Sequence, residues 1–318
     1  MLKYIGKRLL MMIPILLGIS FLIFFVMSLS PGDPARMILG ENVPQEQVEQ
    51  LREEMGLNDP LLVQYGRFIW NALHGDLGNS YRTGLPVTEE ILARFPATVK
   101  LATGAVLIAI LVGIPIGVIS AVKQYSLVDN ISMMISMVLT SMPGFWYGLM
   151  LMLLFALHLR WLPPSGSSSF KHFILPCITL SCNTFALIVR MTRSTMLEEI
   201  RQDYVRTARA KGCKPLRVTV KHALRNALLP VVTIAGMQYG ILLGGATVIE
   251  SVFAVSGLGT LIINSVKMKD TPSVMAAIMF IAVVSGMVNL TVDVLYTFID
   301  PRLKSRYMQV KKLKKGDV

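Results

Sequence analysis

The sequence predicts an all-α, polytopic membrane protein with six transmembrane helices. Three observations carry that prediction. The 318 residues are 53% hydrophobic and only 16% charged, whereas soluble domains carry about a quarter charged residues. Six apolar runs approach or exceed the length of about 18 residues that reads as a membrane span. Lys and Arg gather on alternate sides of those runs, as membrane orientation requires.

The first run, Leu9–Leu29, follows Lys3, Lys7 and Arg8. That layout resembles a signal peptide. The apolar part nevertheless exceeds the usual 7–15 residues, and no small-x-small cleavage site follows, so it reads as a retained span. Pro14 inside it is tolerable in a membrane helix. The second run is Leu101–Val122. The third, Ile131–Leu157, is interrupted by "MPGFWYG" at Met142–Gly148. Pro143 and Gly144 predict a kink there, or a split into two pieces. The fourth, fifth and sixth runs are Phe173–Val189, Pro230–Ile249 and Val274–Ile299.

The net charge is +12. Nucleic acid could explain such a balance, but the basic residues flank apolar spans, which excludes that reading. One side collects 21 Lys and Arg and the other 10. The positive-inside rule then places both termini and the loop 190–229 in the cytoplasm. The chain divides into an N-terminal span (1–30), an extracytoplasmic helical segment (31–97), a core (98–300) holding the cytoplasmic loop 190–229, and a basic cytoplasmic tail (301–318). The segment Pro31–Ala97 has ten acids against five basic residues. In "NVPQEQVEQLREEMGLNDP", Val48, Leu51 and Met55 recur at helical spacing, with Gly56 as C-cap. "DPLLVQYGRFIWNALHGDLG" is a second amphipathic stretch. The segment reads as a shield for span ends, or as a docking surface for an external partner.

The stretch Arg206–Asn226 carries seven Lys or Arg residues and no acid. Asp203 is placed to cap a short helix over about Tyr204–Lys211, Gly212 to end it, and Pro215 to open the next. Lys214, Arg217, Lys221 and Arg225 fall on one face of that second helix, and Leu216, Val220 and Leu224 on another. One reading is an interfacial hairpin whose charges meet lipid headgroups. The other is a socket for a cytoplasmic protein. The glycine corner favours the socket, because a helix lying on a membrane needs no sharp turn.

Other chemistries find little support. Three cysteines make no disulfide framework. No Walker A pattern occurs, and "GILLGGAT" (Gly240–Thr247) lacks its lysine, so it reads as close helix packing. His74, His158, His172 and His222 all lie outside the middle of a span, and no H-E-x-x-H is present. The chain is therefore read as no enzyme and as holding no metal. The methionines Met133, Met134, Met137, Met142, Met150 and Met152 read as adaptable packing. Two acids are candidates for the pathway or for a structural role. Asp293 lies inside the last apolar run, where acids are functional candidates by default, and pairing with Arg190, Arg193 or a backbone group is the favoured role. Glu250 ends the fifth run. An ion-coupled secondary carrier is the alternative of another class, but no internal repeat and only one intramembrane acid speak for it.

The stretch "DYVRTARAKGCKPLRVTVKHALRNALLPV" resembles the EAA loop of ABC-importer permeases. More narrowly, it is similar to the B-type subunit of the dipeptide, oligopeptide and nickel permease family. Arg206, Thr207 and Ala208 stand where the generic pattern has Glu-Ala-Ala, and Gly212 matches its glycine. His222, Ala223, Leu224 and Arg225 replace its Ile-x-Leu-Pro. These departures are typical of the peptide and nickel subgroup. "SPGDPA" from Ser30, "GLNDPLLVQY", "HGDLGNS", "SMPGFWYG", "WLPPSG", "VRMTRSTMLE", "VIESVFAVSGLG" and "VDVLYTFIDPRLK" follow in family order. Val255 and Ser256 stand where relatives usually have Trp-Pro or a similar pair.

The resemblance implies a type I ABC importer permease fold in a bacterial or archaeal cytoplasmic membrane. It implies a coupling helix made of Tyr204, Arg206, Thr207, Ala208, Arg209, Ala210, Lys211 and Gly212, seated in a cleft of a cytoplasmic ATPase. Lys214, Arg217, Lys221 and Arg225 would supply a basic face. The implied partners are a second, C-type permease, two ATPase subunits, an extracytoplasmic solute-binding protein and membrane lipid, with no nucleic acid. ATP and Mg would be used by the ATPase, and this chain would bind no cofactor. The implied cargo is short peptides or, alternatively, nickel or a nickel–chelator complex.

Overall fold

The computed structural model describes residues 2–29, 32–40 and 42–299. The first two residues of "SPGDPA" and the tail 301–318 lie outside the described residues. The described elements are helical, apart from one isolated antiparallel bridge between Asn79 and Pro86. In chain order they are α1 (Leu2–Leu29), α2 (Pro34–Leu39), α3 (Gln45–Glu54), α4 (Leu61–Leu73), α5 (Val87–Val122), α6 (Leu127–Ser141) and α7 (Gly144–Leu151). A π-helical stretch, Met152–His158, continues α7. Then come α8 (Phe170–Ile200), α9 (Asp203–Ala210), α10 (Pro215–Arg217), a second π stretch (Val218–Leu224), α11 (Arg225–Gly245), α12 (Thr247–Val252), α13 (Leu258–Lys267) and α14 (Thr271–Ile299).

Among the described residues, five helical stretches are long and apolar enough to cross a membrane: Ile5–Leu29, Val87–Val122, Phe170–Ile200, Pro215–Gly245 and Thr271–Val294. The third expected span is a bent pair, Leu127–Ser141 and Gly144–His158, whose axes differ by 105°. Pro143 heads the second piece with extended backbone, because proline has no N–H to continue the ladder of the first. The two-piece alternative therefore holds.

Three span ends differ from the hydropathy reading. Helix α5 begins at Val87, not Leu101, and α8 runs on to Ile200 beyond Val189. Both extensions are charged, with Glu89, Glu90 and Arg94 in one and Arg190, Arg193, Glu198 and Glu199 in the other. Charge ends an apolar window without ending a helix, since these residues are ordinary helix formers. The fifth run breaks early. Helix α11 ends at the Gly244–Gly245 pair, and Ile249 belongs to the separate α12.

The chain forms two compact units. One comprises residues 1–100, 164–172 and 243–286. Its α2 is capped by Asp33, whose Oδ1 accepts from Ala35 N (3.1 Å), with Pro34 in the first turn. Val48 buries one side of α3, and Gly56 follows with φ +65°. A core of Val87, Ile91, Leu258, Leu261, Ala276 and Ala277 joins the start of α5 to α13 and α14. Phe95 and Phe280 meet edge to face at 5.0 Å.

The other unit comprises, among the described residues, 101–163, 173–242 and 287–299. Here α5 approaches α8 through glycines. A Cβ at Gly104 would stand 2.6 Å from Cys177 Sγ, and one at Gly117 2.8 Å from the Val189 carbonyl. Gly236 and Gly240 of α11 likewise face Val292 and Asn289 of α14. Small residues let membrane helices approach closely, where dispersion drives association. Gly240 of "GILLGGAT" thus packs as read.

Candidate functional site

Helix α9 is built on a single apolar edge. Val205 and Ala208, three residues apart, are buried against Ala121, Met196, Val218, Ala223 and Ala227. Asp203, Tyr204, Arg206, Thr207, Arg209, Ala210, Lys211 and Gly212 are all exposed. The helix is thus held from one side and presents the rest of its circumference.

Its C-terminus turns at Gly212, where φ is +79°. The Gly212 N–H donates to the Arg209 carbonyl (2.9 Å), and the Cys213 N–H to the Ala208 carbonyl (3.2 Å). That is a Schellman closure, which needs a left-handed residue and suits glycine. Its N-terminus differs from expectation. Asp203 is the first helical residue and not the cap; Gln202 precedes it with extended backbone and makes no side-chain cap bond. Asp203 instead lies 3.8 Å from Arg206, and its charge complements the positive end of the helix.

Tyr204 ties α9 to its flanks. Its hydroxyl donates to Glu199 Oε2 at the end of α8 and accepts from Asn226 Nδ2 (3.0 Å) at the start of α11. Burial, then the Glu199 bond, raise the phenol above its usual range. Tyr204→Phe keeps the ring and removes both bonds. At this half-exposed site they contribute about 1 kcal/mol. Uptake by the assembled transporter is expected to fall by up to about fivefold with unchanged membrane content. Parent-level uptake would show that these bonds do not hold α9.

The basic face needs correcting. Lys214, Arg217, Lys221 and Arg225 are all exposed, but they do not form one straight stripe. The π stretch Val218–Leu224 inserts the equivalent of one residue, turning later positions by roughly 100° against earlier ones. The buried positions record this: Val218, Ala223 and Ala227 are spaced five and four apart, while Leu216 and Val220 stay exposed. Of the expected apolar face of Leu216, Val220 and Leu224, only Leu224 packs against that set.

Glu250 is fully buried. It accepts from Thr98 Oγ1 (2.7 Å) and from Thr260 N (3.1 Å). Thr98 Oγ1 in turn accepts from Leu258 N (2.9 Å). A Cβ at Gly257 would stand 2.3 Å from the Glu250 carboxyl carbon. Glu250 therefore anchors the turn between α12 and α13, where Val255 is also buried. Burial pushes its carboxyl up, against the pull of these bonds. Asp293 is half-buried in α14. Arg193, an expected partner for it, gives Nε and Nη2 to Asp129 (2.6 and 2.7 Å).

Two acids escaped the sequence reading. Asp129 stands two residues before the expected start of span three, where hydropathy treats it as loop. Asp270 precedes α14. It is buried and accepts from Ser80 Oγ, from Tyr81 N (3.0 Å) and from Ser273 Oγ (2.8 Å). Burial and the Asp270 charge push the Tyr81 phenol up to about 12. Asp270→Ala leaves the Ser80 hydroxyl and the Tyr81 N–H without their acceptor, at about 2–3 kcal/mol. Trypsin is then expected to nick the exposed Arg82 about tenfold faster or more. An unchanged cleavage rate would mean the loop is held by other contacts. Among the described residues, no group of three or more His, Cys, Asp or Glu is gathered as metal ligands are.

Comparison with known proteins agrees with this architecture. The family "Binding-protein-dependent transport system inner membrane component" matches residues 113–305, and its N-terminal counterpart matches residues 1–102. The dipeptide transport system permease protein DppB of Alkalihalophilus pseudofirmus is 42% identical, over 96% of this chain and 100% of that one. The glutathione transport system permease protein GsiC of Salmonella paratyphi A is also 42% identical, over 96% and 99%. A chain from inward-facing crystals of the MetNI methionine ABC transporter shares the fold, with a TM-score of 0.57 and 17% identity over 67% of this chain and 97% of that one. With its apolar helices and these relatives, the chain belongs to the binding-protein-dependent transport system inner membrane component family and is a permease subunit of an ABC importer, with ATP hydrolysis left to separate ATPase subunits.

Proposed function

We propose that this permease forms, with a second permease, the pathway for short peptides, and that α9 couples it to the ATPase. The carrying observation is the mounting of α9. It is seated through Val205 and Ala208, closed at Gly212, tied by Tyr204, and open on its outer face. A short helix held this rigidly can transmit a rigid-body displacement from a partner into α8 and α11. Arg206, Arg209 and Lys211, with Lys214, Arg217, Lys221 and Arg225, offer positive charge to an acidic rim of that partner. ATP and Mg are used there, and this chain binds neither. The peptide cargo is supported by relatives named for dipeptide and glutathione transport. An external binding protein delivers that cargo.

The test is a crosslink. A cysteine at Thr207, in membranes containing the native partners, is expected to crosslink to a Walker-motif ATPase, and mild-detergent purification to yield that ATPase with a second six-span protein. No crosslink, from a chain that purifies alone, would sink the coupling role. Peptide competition in uptake tests the cargo, and competition by nickel salts alone would overturn it.

Orientation follows from the basic loop and tail, which the positive-inside rule assigns to the cytoplasm in a bacterial or archaeal membrane. A cysteine placed at the exposed Gln50 in α3 is expected to react with an impermeant reagent on intact cells. Native Cys213 is expected to react only after permeabilisation. The reverse pattern would invert the topology.

A further inference from the structure

Helix α4 carries an apolar stripe that no part of the described chain covers. None of its residues is buried. Leu62, Trp70 and Leu73 are 71%, 66% and 78% exposed, and at 100° per residue they fall with Gly66 and Ile69 on one side. Beyond the edge of this stripe, Gln64 and Arg67 are polar and engaged. Gln64 Nε2 donates to the carbonyls of Leu57 (2.9 Å) and Asp59 (2.8 Å), and Arg67 pairs with the Asp59 carboxylate.

The second observation is depth. The Tyr65 hydroxyl donates to the carbonyl of Leu17 (3.0 Å) and lies 2.8 Å from Ser20 Oγ. Its ring meets Phe21 at 5.3 Å and Phe24 at 5.7 Å. The apolar stretch of α1 is Ile5–Leu29, so Leu17 is its midpoint, about 18 Å from its C-terminal end. A side chain of α4 thus reaches the middle of a span. The helix lies beside the apolar length of α1, not beyond its end. Around the contact, α1 leaves Leu22 and Val26 exposed, so the α4 stripe continues the apolar surface of α1.

We propose that α4 is an in-plane membrane helix, with Leu62, Trp70 and Leu73 seated among the lipid acyl chains of the leaflet at the C-terminal end of α1. Interfacial helices bury their apolar face about 5–10 Å into the headgroup and acyl boundary, and tryptophan favours that level. The hydrogen bond to Leu17 fixes the depth, because a carbonyl and a phenol that meet in an apolar layer have little competition from water. The segment 31–97 is then in part a lipid-seated collar around α1, in place of the water-facing cap its acidic composition suggests.

The test is made on the assembled importer in lipid nanodiscs. A spin label at Leu73→Cys is expected to collide several times more with lipid-dissolved oxygen than with a water-soluble nickel chelate. A label at the exposed Asn71→Cys, about 160° around the helix from Leu73, is expected to show the reverse preference. Dominant nickel collision at Leu73 would put the stripe in water and overturn the proposal. Shielding from both would mean that a protein covers it, which overturns the proposal equally. A second measurement avoids cysteine chemistry. With Trp146→Phe and Trp161→Phe, Trp70 is the only tryptophan of the chain. Its emission, taken as the difference from the matched Trp70→Phe importer, is expected to fall in brominated lipid. Emission unchanged by brominated lipid would overturn the proposal as well.

Discussion

Gly212→Pro is expected to abolish uptake while the chain still inserts. The native residue stands at φ +79°, and proline is locked near −65°. Proline also deletes the N–H that reaches the Arg209 carbonyl. It further disfavours the backbone of Lys211, now at φ −75° and ψ 5°, because a residue before proline is pushed to extended backbone. A misplaced proline costs about 3 kcal/mol, which is roughly a hundredfold in the population of the turned state. The surrounding spans do not depend on this turn, so membrane content should stay at the parent level. Gly212→Ala is the control. Nothing lies within 4 Å of its added Cβ, so only the positive φ opposes it, at about 1 kcal/mol. Uptake should fall modestly. Normal transport in Gly212→Pro would sink the assignment of α9 as the coupling helix.

Asp129→Ala is expected to give the largest loss of stability. This carboxylate is nearly inaccessible and takes four donors. Arg193 binds it with two nitrogens, Ser120 donates its hydroxyl, and Tyr125 its backbone N–H (2.9 Å). Those donors come from α5, from the turn after it and from α8, so one side chain at the head of α6 joins three segments. Removing it leaves the mostly buried Arg193 guanidinium uncompensated, at about 3–5 kcal/mol. Asp129→Asn should fall between, because the amide keeps the shape and loses the charge. The double variant Asp129→Ala with Arg193→Met should recover part of the loss, since an apolar pair leaves no stranded charge. Thermal unfolding in detergent reads all three. A double variant less stable than Asp129→Ala would refute the stranded-charge account.

The sequence by itself determined much of this protein. Six apolar runs made it a helical membrane protein, because about 20 apolar residues are what a bilayer demands. Pro143 announced the broken third span. Gly212 and Pro215 announced a corner between two helices, because both act through their own backbone. The order of motifs carried the family. Apart from that order, each of these signals is local, contained in a window of a few turns.

Tertiary structure decided what local windows cannot hold. Asp129 meets Arg193 across 64 positions, Thr98 meets Glu250 across 152, and Ser80 meets Asp270 across 190. Hydropathy scores each of these acids as a polar residue near a span end, and their satisfaction depends on donors brought by other helices. The π stretch at Val218–Leu224 is of the same kind. The periodicity predicts an ordinary helix there, with Leu216, Val220 and Leu224 along one apolar face. The packed chain turns Val218 and Ala223 fully inward, with Leu224 partly buried beside them and Leu216 and Val220 exposed. The depth of α4 was hidden for the same reason. Its stripe was legible as amphipathic, but only the bond from Tyr65 to the middle of α1 says at what level it lies.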